Sequence, residues 1–151
     1  MTAKSQKKIA IIGSGKIGRD LLIKIKKSQK LFCVGLIGRR EGGESQEFSK
    51  KHSIEYFGSG LECFLSNNKK ADIFVDCTNA SDHKNHIKAL IPRNSYIVDL
   101  TPSGIGIKYS PILTNLNFKK NESISLISCG GQTAIPMIYI LSKSIPNIKY
   151  I

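Results

Sequence analysis

The sequence predicts an α/β fold with a doubly wound, mostly parallel sheet, and three observations carry that prediction. Short apolar runs rich in β-branched residues recur along the chain, as strands buried on both faces require. Helical apolar periodicity fills the gaps between them. The first run, 9–12, passes directly into Gly13-Ser14-Gly15-Lys16-Ile17-Gly18, and a helical pattern follows at once.

Residues 1–6 read as a disordered lead and 7–151 as one domain. The spacing predicts a strand over 8–12 and a helix over 16–29, with Ile17, Leu21, Leu22 and Ile25 on one face. Strand, tight turn and helix are the context that gives G-x-G-x-x-G a mechanism. Gly13 allows the sharp turn, Gly15 lets backbone approach a pyrophosphate, and Gly18 lets helix pack close to strand, which makes this a Rossmann-like dinucleotide turn. The N–H groups at the helix start would hold the phosphates. A second buried strand, 31–37, ends in Gly38-Arg39-Arg40. An NAD-binding unit usually offers an acid there to the ribose 2′-hydroxyl, yet none occurs before Glu41. Arg39 or Arg40 suits an NADP 2′-phosphate instead, or both are solvent-facing loop residues; the choice between NAD and NADP stays open.

Further on, 44–52 reads as a surface helix, 54–57 as a short strand, and Gly58-Ser59-Gly60 as the lead into a short helix through 65. The next clear strand is 71–77, with Thr78-Asn79-Ala80-Ser81 at its carboxyl end. Ligands of doubly wound sheets lie outside such ends, so Thr78 to Ser81 are candidates to line the dinucleotide cleft, Thr78 first among them, with a helix N-cap loop as the plain alternative. His83 and His86 fall on the following helix, 81–91, and read as exposed residues, because two histidines alone do not make a metal site. A strand at 96–100 gives way to 101–106, too rich in Gly and Pro for a helix. The strand 123–128 ends at Cys129-Gly130-Gly131-Gln132, and a helix resumes over 133–144.

Cys129 is the candidate nucleophile. Two adjacent glycines allow close substrate approach, and the N–H groups of a helix start favour a thiolate and can stabilise an oxyanion. The plain alternative is a small buried residue. Cys33, Cys63 and Cys77 lack such surroundings and read as core or loop thiols.

Composition narrows the class. The 151 residues are 40% hydrophobic and 23% charged, ordinary for a globular protein. No apolar run approaches the roughly 20 residues of a membrane span. Four scattered cysteines without C-x-x-C spacing suggest reduced thiols in the cytoplasm and no metal centre. The net charge of +12 raises nucleic acid as a partner. The lysines, however, are dispersed pairs without interleaved aromatics, which favours a solvated basic surface.

Taken together, Ile11-Ile12-Gly13-Ser14-Gly15-Lys16-Ile17-Gly18, Asp99-Leu100-Thr101-Pro102 and Ser128-Cys129-Gly130-Gly131-Gln132-Thr133-Ala134-Ile135-Pro136-Met137 resemble the acylating acetaldehyde dehydrogenases of the semialdehyde-dehydrogenase-like superfamily. The resemblance runs from Lys7 along nearly the whole chain. It implies that Cys129 attacks a short aldehyde, that hydride passes to NAD(P), and that coenzyme A releases the acyl group as a thioester. It also implies that Ser14 to Ile17 bind the dinucleotide, that Gln132 sits near the acyl site, and that an aldolase is a partner. Lys16 stands where the family usually has Asn, and Gly38-Arg39-Arg40 where many members have an Asp-containing turn. Family members are about twice as long, so the resemblance implies a sheet incomplete relative to the family, with the next strand beginning at 148–151. The second domain and the family's general base are implied to be missing. The alternatives are a non-catalytic dinucleotide-binding module and another semialdehyde dehydrogenase.

Overall fold

The structure, a computed structural model, describes residues 6–113 and 118–145. The expected strand at 148–151 and most of the expected lead lie outside the described residues. Among the described residues seven strands form one sheet in the order β3-β2-β1-β4-β5-β7-β6, with every pairing parallel. They are β1 (Lys7–Ile12), β2 (Leu31–Ile37), β3 (Tyr56–Phe57), β4 (Ile73–Asp76), β5 (Tyr96–Asp99), β6 (Ile107–Lys108) and β7 (Ser123–Ser125). The helices are α1 (Lys16–Lys26), α2 (Gly43–Lys51), α3 (Gly60–Ser66), α4 (Ala80–Leu90) and α5 (Cys129–Ser144).

Alternation along β1 explains why the sheet is covered twice. Ile9 and Ile11 point to one face, where Leu22 and Ile25 of α1 and Phe48 of α2 pack. Ala10 and Ile12 point to the other, against Leu61, Phe64 and Leu65 of α3 and Leu90 of α4. Phe64 is fully buried and meets Phe57 and Phe74 edge-on, with centroids 5.0 and 5.8 Å apart. Each such buried side chain contributes on the order of 1.5–3 kcal/mol of apolar burial.

Register puts the functional ends in one row. Ile12 lies beside Ile37 and Asp76, Asp76 beside Asp99, and Asp99 beside Ser125. The carboxyl ends of β2, β1, β4, β5 and β7 therefore share one edge.

Four elements depart most from expectation. Helix α1 stops at Lys26, because the N–H groups of Lys27 and Ser28 bond to Lys24 and Ile25 and turn the chain toward β2. Strand β6, within a stretch that carries no strand signal, has two residues and too little length for a period. Strand β7 ends at Ser125 and α5 begins at Cys129 rather than at 133: Ser128 Oγ accepts the Gly131 N–H, and that cap draws Cys129 and both glycines into the first turn.

Candidate functional site

The ends of β1, β2 and β4 open into a cleft of about 810 Å³. The glycine turn forms one wall. Gly13 has φ +108°, and a Cβ there would stand 2.9 Å from the Cys77 carbonyl carbon. A Cβ on Gly18 would come within 1.9 Å of the Gly13 carbonyl oxygen, so helix and turn meet there without room for a side chain. At Gly15 the reason is different. Nothing lies within 4 Å of the missing Cβ, and the residue lines the cleft. Among the described residues no side chain caps α1, and the N–H groups of its first turn have no intrahelical acceptor. An open backbone beside an uncapped helix start fits a dinucleotide pyrophosphate.

A residue that sequence reasoning missed fixes this turn. Arg19 Nε donates to the Ser14 carbonyl at 3.1 Å and its Nη2 to Ser45 Oγ at 3.0 Å, while Ser45 Oγ donates to the same carbonyl at 3.1 Å. Two donors from two helices thus hold the middle of the loop. The signal was a single arginine directly after Gly18, too common on a helix to read alone.

Of the candidate binding residues, Gly13, Ser14, Gly15, Arg39 and Thr78 line the cleft. Lys16 and Ile17 are exposed on the first turn of α1, and Gly18 is buried beneath it. None of these three lines the cleft.

His83 and His86 are not two exposed helix residues. His83 is fully buried and His86 is partly buried. Both Nδ1 atoms reach Asp76 Oδ2, at 2.9 and 2.7 Å, and Asp76 Oδ1 accepts the N–H and hydroxyl of Thr78. Burial pushes the Asp76 carboxyl up, but the hydrogen bonds from His83, His86 and Thr78 outweigh it and hold the group well below the usual carboxylate range. An ionised carboxylate only accepts, so both histidines carry their proton on Nδ1. His83 Nε2 lies 3.6 Å from Asp99 Oδ2, and Asp99 accepts the Thr101 N–H and the Ser103 hydroxyl. The cluster ties α4 to the ends of β4 and β5, and His86 lines the cleft. It was illegible in sequence because a strand-end acid and two helix histidines meet only once α4 folds over the sheet. Neighbouring Cys77 is pushed up to about 12, first by burial and then by the charge of Asp76.

Cys129 stands apart from the cleft lining and is exposed. It is the first residue of α5, following β7 on the same sheet edge as the glycine turn. From β1 the intervening order is β4, β5, β7, three strand spacings or about 14 Å. Gln132 is engaged structurally, its Nε2 donating to Tyr109 and Leu126 carbonyls at 2.6 and 3.2 Å.

Residues 7–98 match the oxidoreductase family with an NAD-binding Rossmann fold. The chain is 34% identical over 143 residues to an acetaldehyde dehydrogenase from Bacillus thuringiensis, covering 95% of this chain and 48% of that protein. It is 28% identical over 152 residues to an acetaldehyde dehydrogenase from Burkholderia pseudomallei, covering 100% of this chain and 51% of the relative. The chain therefore spans about half the length of the curated relatives it matches. Among solved structures, aspartate semialdehyde dehydrogenase with NADP from Candida albicans has a similar fold, with a TM-score of 0.70 at 14% identity, over 93% of this chain and 48% of that one.

Proposed function

We propose that this chain, which belongs to the oxidoreductase family with an NAD-binding Rossmann fold, carries the dinucleotide site and the nucleophile of an acylating acetaldehyde dehydrogenase. The observation that carries the reading is an exposed cysteine opening a helix on the sheet edge that also holds the glycine-turn cleft. The similarity to acetaldehyde dehydrogenases along nearly the whole chain supports it.

In this reading the Cys129 sulfur adds to the carbonyl carbon of a short aldehyde, and the carbonyl pair moves onto oxygen. Gly131 N–H is spent on the cap, whereas the N–H groups of Cys129 and Gly130 have no intrahelical acceptor and would be available to that developing charge. The bound NAD(P)⁺ supplies the hydride acceptor. Loss of hydride from the former carbonyl carbon restores C=O as a thioester on Cys129. The thiol of coenzyme A then adds, the Cys129 sulfur leaves, and acyl-CoA departs. Ser14 and Gly15, which line the cleft, would hold the dinucleotide phosphates through the turn, Lys16 and Ile17 would add only the backbone N–H groups that open α1, Gly13 and Gly18 shape that turn, and Arg39 and Thr78 flank the cleft. An aldolase supplying the aldehyde and a cytoplasmic setting belong to the same proposal; no helix among the described residues is long and apolar enough to cross a membrane.

The test is NAD(P)⁺ reduction that depends on both acetaldehyde and coenzyme A, measured in wild type and Cys129→Ala. The expected outcome is turnover in wild type and its loss in the variant; equal rates would reject Cys129 as nucleophile. A second reading is a dinucleotide-binding module without turnover, motivated by the half-length match to the relatives. Dinucleotide binding with no reduction at any aldehyde concentration would favour it.

A further inference from the structure

The geometry points to a 2′-phosphate site at the β2 end of the cleft, so that the dinucleotide held there is NADP(H) in preference to NAD(H). This rests on the dinucleotide reading above and adds to it which dinucleotide is selected.

A site for a free ribose 2′-hydroxyl needs a carboxylate at the end of β2. The nearest acid, Glu41, is not available for that. Its Oε1 accepts the Gly58 N–H at 3.0 Å, and it does not line the cleft. Gly58 keeps it there, since a Cβ on that residue would stand 2.6 Å from the Glu41 carboxyl carbon. Two acids do line the cleft, and both are paired. Glu44 meets Arg19 at 3.3 Å; Asp82 accepts the Asn79 side-chain amide at 2.8 Å and lies 3.9 Å from Arg39.

Arg39 and Arg40 both line the cleft at that end. The Arg39 side chain is 78% exposed, and its one ion pair among the described residues, at 3.9 Å, is of a kind worth little in water, so its guanidinium is free to take a better anion. Arg40 is presented from a fixed backbone, because the Tyr56 hydroxyl donates to its carbonyl at 2.9 Å. Beyond them, Gly42 and Gly43 line the same wall with open space where a side chain would stand. Two neighbouring guanidinium groups match a phosphate dianion more strongly than they match a bare hydroxyl.

The experiment titrates the 151-residue protein with NADPH and NADH by fluorescence, and competes each with 2′,5′-ADP and with 5′-ADP. NADPH is expected to bind at least about tenfold more tightly than NADH, and 2′,5′-ADP to outcompete 5′-ADP similarly, given the strength of hydrogen bonds between charged partners. In Arg39→Ala/Arg40→Ala the ratio of NADPH to NADH affinity is expected to fall toward one. NADH binding as tightly as NADPH, or a ratio unmoved in the double variant, would overturn the 2′-phosphate assignment alone. Binding of neither dinucleotide would overturn the cleft reading itself, and the assignment with it.

Discussion

Adding one methyl group at Gly18 and one at Gly15 separates packing from binding within a single turn. At Gly18 the new carbon would lie 1.9 Å from a backbone oxygen, so Gly18→Ala is expected to cost at least about 2 kcal/mol in denaturant unfolding. At Gly15 the same carbon meets nothing and φ is −73°, an ordinary value, so Gly15→Ala is expected to cost less than about 1 kcal/mol as a changed helix cap. Because that carbon would enter the space left for the pyrophosphate, dinucleotide affinity in Gly15→Ala is expected to fall by about tenfold in a fluorescence titration. Unchanged affinity would mean that the turn serves the fold alone. The cysteines divide in the same way. Cys33 and Cys77 are pushed up, by burial first in each, whereas Cys129 is exposed. Brief iodoacetamide treatment of the native protein, read by peptide mass spectrometry, is expected to label Cys129 and leave Cys33 and Cys77 unmodified.

Among the elements, α4 is tied to the end of β4 through the Asp76 carboxylate as well as by apolar packing, and an acid response follows from that tie. The folded state holds Asp76 below its unfolded range near about 4, so its contribution is fully present above that pH and fades as pH falls through the folded value. Urea unfolding is expected to show stability falling below about pH 4, with Asp76→Asn flattening that limb and costing about 3 kcal/mol at pH 7 by disrupting a buried network. An unaltered acid limb in the variant would assign the response to other groups. The same element marks the boundary of what the sequence reveals. Strands β1, β2 and β4 were legible because burial on both faces writes continuous apolar runs such as Ile9–Ile12, and the glycine turn because each position has its own steric requirement. The Asp76–His83–His86 cluster was not, since neither residue type nor spacing shows that a helix will cross a strand end. The start of α5 was misplaced for a related reason: Gly130 and Gly131 argue against a helix locally, and only the Ser128 cap reverses them.

Across the whole molecule, the parallel sheet gathers the glycine turn, the Asp76 cluster and Cys129 onto one edge, although more than a hundred residues of chain separate Gly13 from Cys129. Helix α5, by contrast, buries none of its residues, and Met137 and Ile140 are 64% and 58% exposed. Met137→Gln/Ile140→Gln is therefore expected to change stability by no more than about 0.5 kcal/mol per site in chemical unfolding; a larger loss would mean that this face is covered in solution. The most direct test of the account omits coenzyme A, so that the acyl group has no acceptor. Protein mixed with acetaldehyde and oxidised dinucleotide is predicted to carry an acetyl adduct on Cys129 by peptide mass spectrometry, absent when the dinucleotide is left out. An adduct that forms equally without dinucleotide, or none on Cys129 under any condition, would contradict it.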